Sequence, residues 1–150
     1  KDMKEKEKTE FLNQFSIHPK RSTVGFVVLG GAFSEGIDLM GDRLIGAIVI
    51  GVGLPTLSFE RDLIKKYYDE KSGDGYLNSY VNPGMNRVMQ AVGRVIRSES
   101  DKGMILLIDD RYLQKTYRDL FKNEWSHYEV VMDNVEMQEM MQNFWEEKEK

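Results

Sequence analysis

The sequence predicts an α/β domain with a mainly parallel sheet, and three features of its hydrophobic pattern lead to that fold class. Continuous apolar runs occupy residues 23–29, 45–52 and 104–108, which is typical of strands buried on both faces. Segments with helical periodicity precede the first run and separate the second from the third. The resulting order is helix, strand, loop, strand, helix, helix, strand, and it requires the crossover connections that join parallel strands.

Composition limits the classes of function. A chain of 150 residues with 41% hydrophobic residues can fill one core, so a single domain is expected. The net charge of -4 argues against a polyanion-binding surface over the whole protein, so contact with a nucleotide or nucleic acid requires a local basic cluster. There is no cysteine, which excludes disulfides, thiolate catalysis and cysteine-held metal or iron-sulfur sites in this chain. The histidines, His18 and His127, lie far apart, and no metal site is predicted.

No apolar run approaches the roughly 20 residues needed to cross a bilayer, and no signal peptide is evident. The expected compartment is therefore the cytoplasm, with no membrane partner.

The first element is a helix over residues 1–15. Phe11, Leu12 and Phe15 recur at helical spacing, and the remaining positions are rich in Lys and Glu, as on a solvated face. Pro19 breaks this helix before the first apolar run. A chain that begins within a helix is expected to be cut from a longer one.

A glycine-rich loop follows the strand at 23–29. Its glycines permit positive φ and close backbone approach to a ligand, and its polar side chains lie just beyond the strand's carboxyl end: Gly30, Gly31, Gly36, Ser34, Glu35 and Asp38. Composition alone leaves two interpretations open, a ligand-binding loop and a plain turn between strands.

The second strand, 45–52, leads to a helix capped by Ser58 and spanning 59–71. Its apolar side is expected to pack against the sheet and consists of Leu63, Ile64, Tyr67 and Tyr68. Asp62 is expected to pair with Lys65 or Lys66. Residues 72–75 end the helix, 76–81 form a short helical or irregular segment, and 82–84 (Asn-Pro-Gly) form a turn.

The next segment, 85–98, reads as a helix with two distinct faces. At about 100° per residue, one arc is apolar and consists of Met85, Val88, Met89, Val92, Val95 and Ile96. The opposite arc holds Arg87, Gln90, Arg94 and Arg97. Guanidinium groups gathered in this way favour an anion, with phosphate as the leading candidate, while a solvated face with surface ion pairs is the alternative. For Arg87 the solvated or ion-paired role is favoured.

The third strand, 104–108, ends in a polar cluster that we interpret as structural: Asp109, Asp110 and Arg111. A helix is predicted over 112–121, with Tyr117, Leu120 and Phe121 facing inward. The last element is an amphipathic helix at about 134–145. Its methionine and aromatic stripe predicts core packing, or otherwise a surface for an adjoining domain.

Two of these segments together resemble a known family. Residues 31–39 (Gly-Ala-Phe-Ser-Glu-Gly-Ile-Asp-Leu) resemble helicase motif V, and residues 90–97 (Gln-Ala-Val-Gly-Arg-Val-Ile-Arg) resemble motif VI of the XPD/DinG-like branch of superfamily two. Residues 51–55 and 102–112 are also similar to that branch. The resemblance implies that 1–150 is the second RecA-like motor domain of an ATP-dependent DNA helicase. It is a three-layer domain whose N-terminal end is expected to be missing, because three strands make a thin sheet.

The resemblance also implies roles for individual residues. Arg97 is the expected arginine finger, Arg94 a second phosphate contact, and Gln90 orients the γ-phosphate or the attacking water. The nucleotide side of the cleft is lined by Glu35, Gly36, Asp38 and Gly93. Ser34 and Gly31 are expected to couple the site to single-stranded DNA.

The chain lacks a Gly-x-x-x-x-Gly-Lys-Ser/Thr loop and an Asp-Glu-x-His sequence. ATP and Mg²⁺ are therefore expected to be bound mainly by a first RecA-like domain of the same polypeptide, and this fragment alone is expected not to hydrolyse ATP. An iron-sulfur cluster, where the family has one, belongs to that first domain. Two alternatives are a non-catalytic nucleic-acid or partner-binding module derived from a helicase domain, and an unrelated nucleotide-binding enzyme that uses the glycine loop alone.

Overall fold

The computed structural model describes residues 3–33, 39, 41–97 and 101–146. The chain divides into two compact units, residues 1–120 and 121–150. The described strands and four of the five described α-helices belong to the first unit.

The sheet of the first unit is parallel, as predicted. Strand β1 (Gly46–Ile50) pairs with β2 (Met104–Ile108), so that Gly46 lies opposite Met104 and Ile50 opposite Ile108. Val49 is buried, whereas Ile48 and Ile50 on the other face of β1 are 66% and 78% exposed. β1 is therefore covered on one face within this unit, and the expectation that both of its faces are buried is wrong.

The strand predicted at residues 23–29 is not formed. Residues 22–28 adopt no regular secondary structure, and Phe26 is 91% and Val24 76% exposed. A strand needs a neighbour to supply ladder hydrogen bonds, and the sheet of the described residues consists of β1 and β2. An apolar run shows where a strand is favoured, but pairing is a tertiary property.

The helices of the first unit partly follow the predicted boundaries: α1 (Glu5–Leu12), α2 (Phe59–Ser72), α3 (Asn82–Val92) and α4 (Lys115–Arg118). Short 3₁₀ turns occupy Gly41–Arg43 and Asp110–Leu113, and a π turn occupies Leu77–Val81. The helix predicted over 112–121 is thus reduced to the end of a 3₁₀ turn and one turn of α-helix. Tyr117 is buried as predicted.

The capping of α2 is confirmed, but its predicted packing is wrong at three of the four positions, with Tyr68 half-buried. The Ser58 hydroxyl accepts a hydrogen bond from the Arg61 amide at 3.4 Å. Leu63 and Tyr67, expected on the packed side, are 53% and 56% exposed. Ile64 is also exposed.

Polar contacts attach α2 to the π turn. The Arg61 guanidinium donates to the Ser79 carbonyl at 2.8 Å, and the Tyr80 hydroxyl donates to the Asp62 carboxylate at 2.9 Å. The predicted Asp62 pairing with a lysine is therefore replaced, and Lys65 pairs with Asp69 at 2.7 Å.

The turn predicted at residues 82–84 is instead the first turn of α3, which continues directly from the π turn. Pro83 lies at the start of α3, where its fixed φ of about −65° suits a helix. Gly84 lets the helix approach the chain after β1, since a Cβ at this position would lie 2.7 Å from the Val52 carbonyl oxygen.

The core of the first unit lies where α3 and the π turn approach the chain that follows β1. Its most deeply buried side chains are Val52, Ser79, Val81, Met85, Val88 and Val92. Burial of these residues fixes the position of α3 and hence of the segment that follows it.

The second unit contains the 3₁₀ turn Asn123–Trp125 and helix α5 (Asn134–Glu146), which confirms the predicted amphipathic helix. Met137, Met140, Phe144 and Trp145 are half-buried, but no residue of α5 is fully buried. Among the described residues, no helix is long and apolar enough to cross a membrane.

Candidate functional site

The candidate site is built on the C-terminal end of α3. The helix ends at Val92 rather than continuing to residue 98, and Gly93 closes it by donating its amide hydrogen to the Met89 carbonyl at 2.9 Å. The Val95 amide then donates to the Val92 carbonyl at 3.0 Å, in a turn that buries the Val95 side chain. Periodicity alone could not detect this stop, because Val95 keeps an inward orientation that a continued helix would also give it.

The four polar residues predicted on one helix face are consequently divided. Arg87 and Gln90 lie on α3, whereas Arg94 lies in the turn and Arg97 just after it. Gln90, Gly93 and Arg97 are exposed, and Arg87 and Arg94 are half-buried.

The predicted apolar face is largely confirmed: Met85, Val88, Val92 and Val95 are buried. Ile96 is an exception, at 42% exposure. Gly103 packs against this turn, since a Cβ there would collide with Val95 and would lie 3.1 Å from the Ile45 carbonyl oxygen. The turn that carries Arg94 therefore packs closely against the residue just before β2.

Local hydrogen bonds fix the backbone around Arg97. Its amide donates to an Asp101 carboxylate oxygen at 2.9 Å, and its Nε donates to the Arg94 carbonyl at 3.2 Å. The two basic residues also follow a helix C-terminus, where the helix dipole favours positive charge. The arrangement presents guanidinium chemistry suited to phosphate on the surface of the first unit.

A second feature is the turn after β1. Gly51 and Gly53 have φ of 86° and 65°, in the left-handed region that favours glycine. The Tyr112 hydroxyl donates to the Gly51 carbonyl at 2.7 Å, and the Arg87 guanidinium donates to the Gly53 carbonyl at 3.4 Å. Burial, and secondarily the charge of Asp109, raises the pKa of Tyr112 to about 12.

The polar cluster after β2 contains a tight ion pair. The Arg111 guanidinium donates to Asp109 at 2.7 and 2.8 Å, which holds the pKa of that carboxyl below its usual range. Asp110 is exposed. The contacts of Asp109 and Arg111 support the structural interpretation of this pair.

The glycine loop is described at its start. Gly30 has φ of 77°, and the Gly31 amide donates to the Val28 carbonyl at 2.9 Å, which makes a tight turn. Four candidate residues of this loop lie outside the described residues: Ser34, Glu35, Gly36 and Asp38. Of the loop residues to which the resemblance assigns a role, Gly31 is therefore the one whose position the structure gives.

Sequence reasoning missed the contacts of Arg87. We predicted it to be solvated or ion-paired, but it is half-buried and lies between the backbones of Gly30 and Gly53. The sequence offers one signal in retrospect, a long donor side chain on the helix one turn before Gln90. The acceptor of its hydrogen bond is a backbone carbonyl, and residue types do not show which carbonyl a side chain will reach.

Within the described residues, no three His, Cys, Asp or Glu side chains are grouped to hold a metal ion.

Comparison with known proteins gives a consistent set of relatives. A family described as helicase C-terminal domain matches residues 1–128. The ATP-dependent DNA helicase DinG of Photobacterium profundum is 36% identical over 89 residues, which cover 58% of this chain and 13% of that protein. The ATP-dependent DNA helicase CHL1 of Kluyveromyces lactis is 32% identical over 119 residues, which cover 70% of this chain and 15% of that protein. The ATP-dependent DNA helicase YoaA of Haemophilus influenzae is 26% identical over 142 residues, which cover 93% of this chain and 21% of that protein. The chain thus spans between 13% and 21% of the length of these three relatives.

Proposed function

The chain belongs to the helicase C-terminal domain family, in its XPD/DinG-like branch, and from that premise we propose that it is the second motor half of an ATP-dependent DNA helicase. The observation that carries the proposal is the position of Arg94 and Arg97 directly after α3, with Gln90 and Arg97 on the surface. Such groups can act on a phosphate that a neighbouring domain presents.

In this proposal Arg97 is the arginine finger. Phosphoryl transfer spreads negative charge over the oxygens of the transferred group, and a guanidinium inserted from another domain stabilises that charge. Arg97 is exposed, and the hydrogen bonds from its amide to Asp101 and from its Nε to the Arg94 carbonyl hold it beside Arg94 at the surface. Arg94, half-buried in the preceding turn, supplies a second contact to phosphate oxygens.

Gln90 has the orienting role. It lies exposed in the last turn of α3, and its amide can both donate to a phosphate oxygen and accept from a water molecule. Because α3 is fixed by its buried face, Gln90 is carried on a rigid element, as the positioning of an attacking water requires.

ATP and Mg²⁺ are bound mainly by a first RecA-like domain of the same polypeptide, outside this chain. The guanidinium donors suit the phosphate side of that nucleotide, and the metal supplies charge neutralisation when bound. Glu35, Gly36, Asp38 and Gly93 line the nucleotide side of the cleft in this proposal.

Single-stranded DNA is the proposed nucleic-acid partner, contacted near Gly31 and Ser34. The three relatives compared above are named as ATP-dependent DNA helicases, which supports DNA as the substrate. A strand held through its phosphates gives little base preference and strong dependence on salt.

The test uses the full-length protein and measures DNA-stimulated ATP hydrolysis in wild type, Arg97→Ala and a matched control, Arg118→Ala. Arg118 is an exposed arginine at the end of α4. We expect Arg97→Ala to lower turnover by at least about 100-fold while nucleotide binding is retained, and Arg118→Ala to stay near wild type. Wild-type turnover in Arg97→Ala would remove the finger assignment.

The isolated chain provides a second test of the same proposal. We expect no ATP hydrolysis from the highly purified fragment, because the phosphate cradle and the metal-holding acids belong to the other domain. Robust turnover by the fragment contradicts the half-site proposal. A full-length protein that binds DNA without hydrolysing ATP would instead favour the non-catalytic binding module.

A further inference from the structure

Arg87 lies where three segments of the first unit meet. It projects from α3 one turn before Gln90, is half-buried, and donates from Nη1 to the Gly53 carbonyl at 3.4 Å. A single long side chain thus connects the helix of the candidate site to the turn after β1.

The same side chain lies against the start of the glycine loop. A Cβ placed on Gly30 would be 3.4 Å from both Cδ and Nε of Arg87, so the guanidinium packs on the bare backbone at this position. Gly30 has φ of 77°, and the next residue, Gly31, closes the turn by its hydrogen bond to Val28. A larger residue at position 30 would strain the backbone, because φ of 77° lies in the left-handed region that favours glycine.

The turn after β1 is itself held from several sides. A Cβ on Gly53 would lie 2.8 Å from the Gly84 carbonyl oxygen and 2.9 Å from a methyl carbon of Leu29. The turn after β1 therefore packs closely against the backbone of α3 and against the side chain of Leu29, which directly precedes Gly30.

We infer that Arg87 is a positioning residue that links the Gly30 turn to the helix carrying Gln90, and so couples DNA engagement at the loop to ATP hydrolysis at the helix end. The inference rests on the proposed function of the two segments. Arg87 itself is not proposed to contact nucleotide or DNA. It acts by holding the backbone of Gly30 and Gly53 at a fixed distance from α3.

A purely structural role for Arg87 leads to a different prediction. If the side chain only stabilised the fold, its loss would lower every activity of the protein in proportion to the folded fraction. If it couples two sites, its loss would reduce the effect of DNA on the ATPase rate while the DNA-free rate and the KM for ATP remain. The ratio of the DNA-stimulated rate to the DNA-free rate separates the two.

The experiment measures that ratio in the full-length protein for wild type, Arg87→Ala, Arg87→Lys and the control Arg118→Ala. For Arg87→Ala we expect the ratio to fall about fivefold or more, with the DNA-free rate and the KM for ATP within about twofold of wild type. Arg87→Lys keeps the positive charge and an unbranched stem against Gly30, but its ammonium ends one bond short of the Arg87 Nη1 atom, so it should recover part of the ratio. An unchanged ratio in Arg87→Ala overturns the inference.

A second variant keeps the inference testable if Arg87→Ala does not fold. Arg87→Met keeps an unbranched stem against Gly30 but has no donor, and should also lower the ratio; a wild-type ratio in that variant overturns the coupling role.

Arg97→Ala, measured alongside, keeps the two proposals apart. Loss of turnover in Arg97→Ala with a normal ratio in the Arg87 variants refutes the positioning role alone. Full turnover in Arg97→Ala with a lowered ratio in Arg87→Ala refutes the finger alone. Absence of any ATPase activity in the full-length wild type refutes both.

Discussion

The hydrogen bond from Tyr112 to Gly51 gives a prediction with two independent readouts. The Tyr112 hydroxyl, on a side chain only 6% exposed, donates to the Gly51 carbonyl at 2.7 Å. Tyr112→Phe removes the donor and keeps the ring. A net hydrogen bond contributes about 1 kcal/mol, and leaving a half-buried acceptor unpaired adds to that, so the free energy of unfolding near pH 8 should fall by about 1–2 kcal/mol.

The pH dependence of this difference is the second readout. The pKa of Tyr112 is about 12 in the folded protein against an ordinary value of 10.0, chiefly because burial disfavours the phenolate. A raised pKa stabilises the folded state fully below pH 10, and that stabilisation is lost as the pH rises from 10 to 12. At pH 11 the loss is on the order of 1 kcal/mol, since that is the scale of one pH unit above the unfolded pKa. The advantage of wild type over Tyr112→Phe should therefore be clearly smaller at pH 11 than at pH 8.

The assay is urea unfolding of both proteins at pH 8 and pH 11, with Tyr128→Phe as the control. Tyr128 is 43% exposed, so its substitution should leave the unfolding free energy nearly unchanged at both pH values. Burial also raises the pKa of Tyr80 and Tyr117, but both groups are present in all variants, so most of their contribution drops out of the difference. A stability difference that is the same at pH 8 and pH 11 would refute the reasoning, as would an absent difference at pH 8.

Two further predictions concern helix boundaries, and both are measured by urea unfolding. Gly84→Ala puts a Cβ 2.7 Å from the Val52 carbonyl oxygen and should lower the free energy of unfolding by about 2 kcal/mol. Alanine is the better helix former, so a gain in stability would contradict the close approach. Asn86→Ala, at an exposed site on the same helix, is its control. Ser58→Ala removes the acceptor for the Arg61 amide and should cost about 1 kcal/mol, which Ser58→Asp should restore; equal losses in both variants would exclude capping as the cause.

Sequence reasoning succeeded where the determining interactions are local. The cap at Ser58, the helix α5, the strand β2 and the buried stripe Met85, Val88 and Val92 follow from residue type and spacing, and all are confirmed. The two motifs were recognised for the same reason, because a motif is a local pattern of residue types. The family match over residues 1–128 confirms the resemblance on which the proposed function depends.

It failed where the outcome depends on what a segment meets in space. Residues 23–29 have the composition of a buried strand, yet they are not paired in the sheet. Leu63, Ile64 and Tyr67 on the predicted apolar side of α2 are exposed, and polar contacts of Arg61 and Asp62 attach the helix to the π turn. Hydrophobicity indicates that a face would gain from burial, but the availability of a partner decides whether it is buried.

The sequence by itself therefore determined the family, the α/β class, and the identity of Gln90, Arg94 and Arg97 as candidates. Tertiary structure alone decided that the helix stops at Val92, so that the two arginines lie beyond it rather than on its face. It also decided that Arg87 joins the backbones of Gly30 and Gly53. The physical reason is that backbone carbonyls and bare glycine surfaces are the same at every position of a sequence, and acquire a specific partner only when the chain has folded.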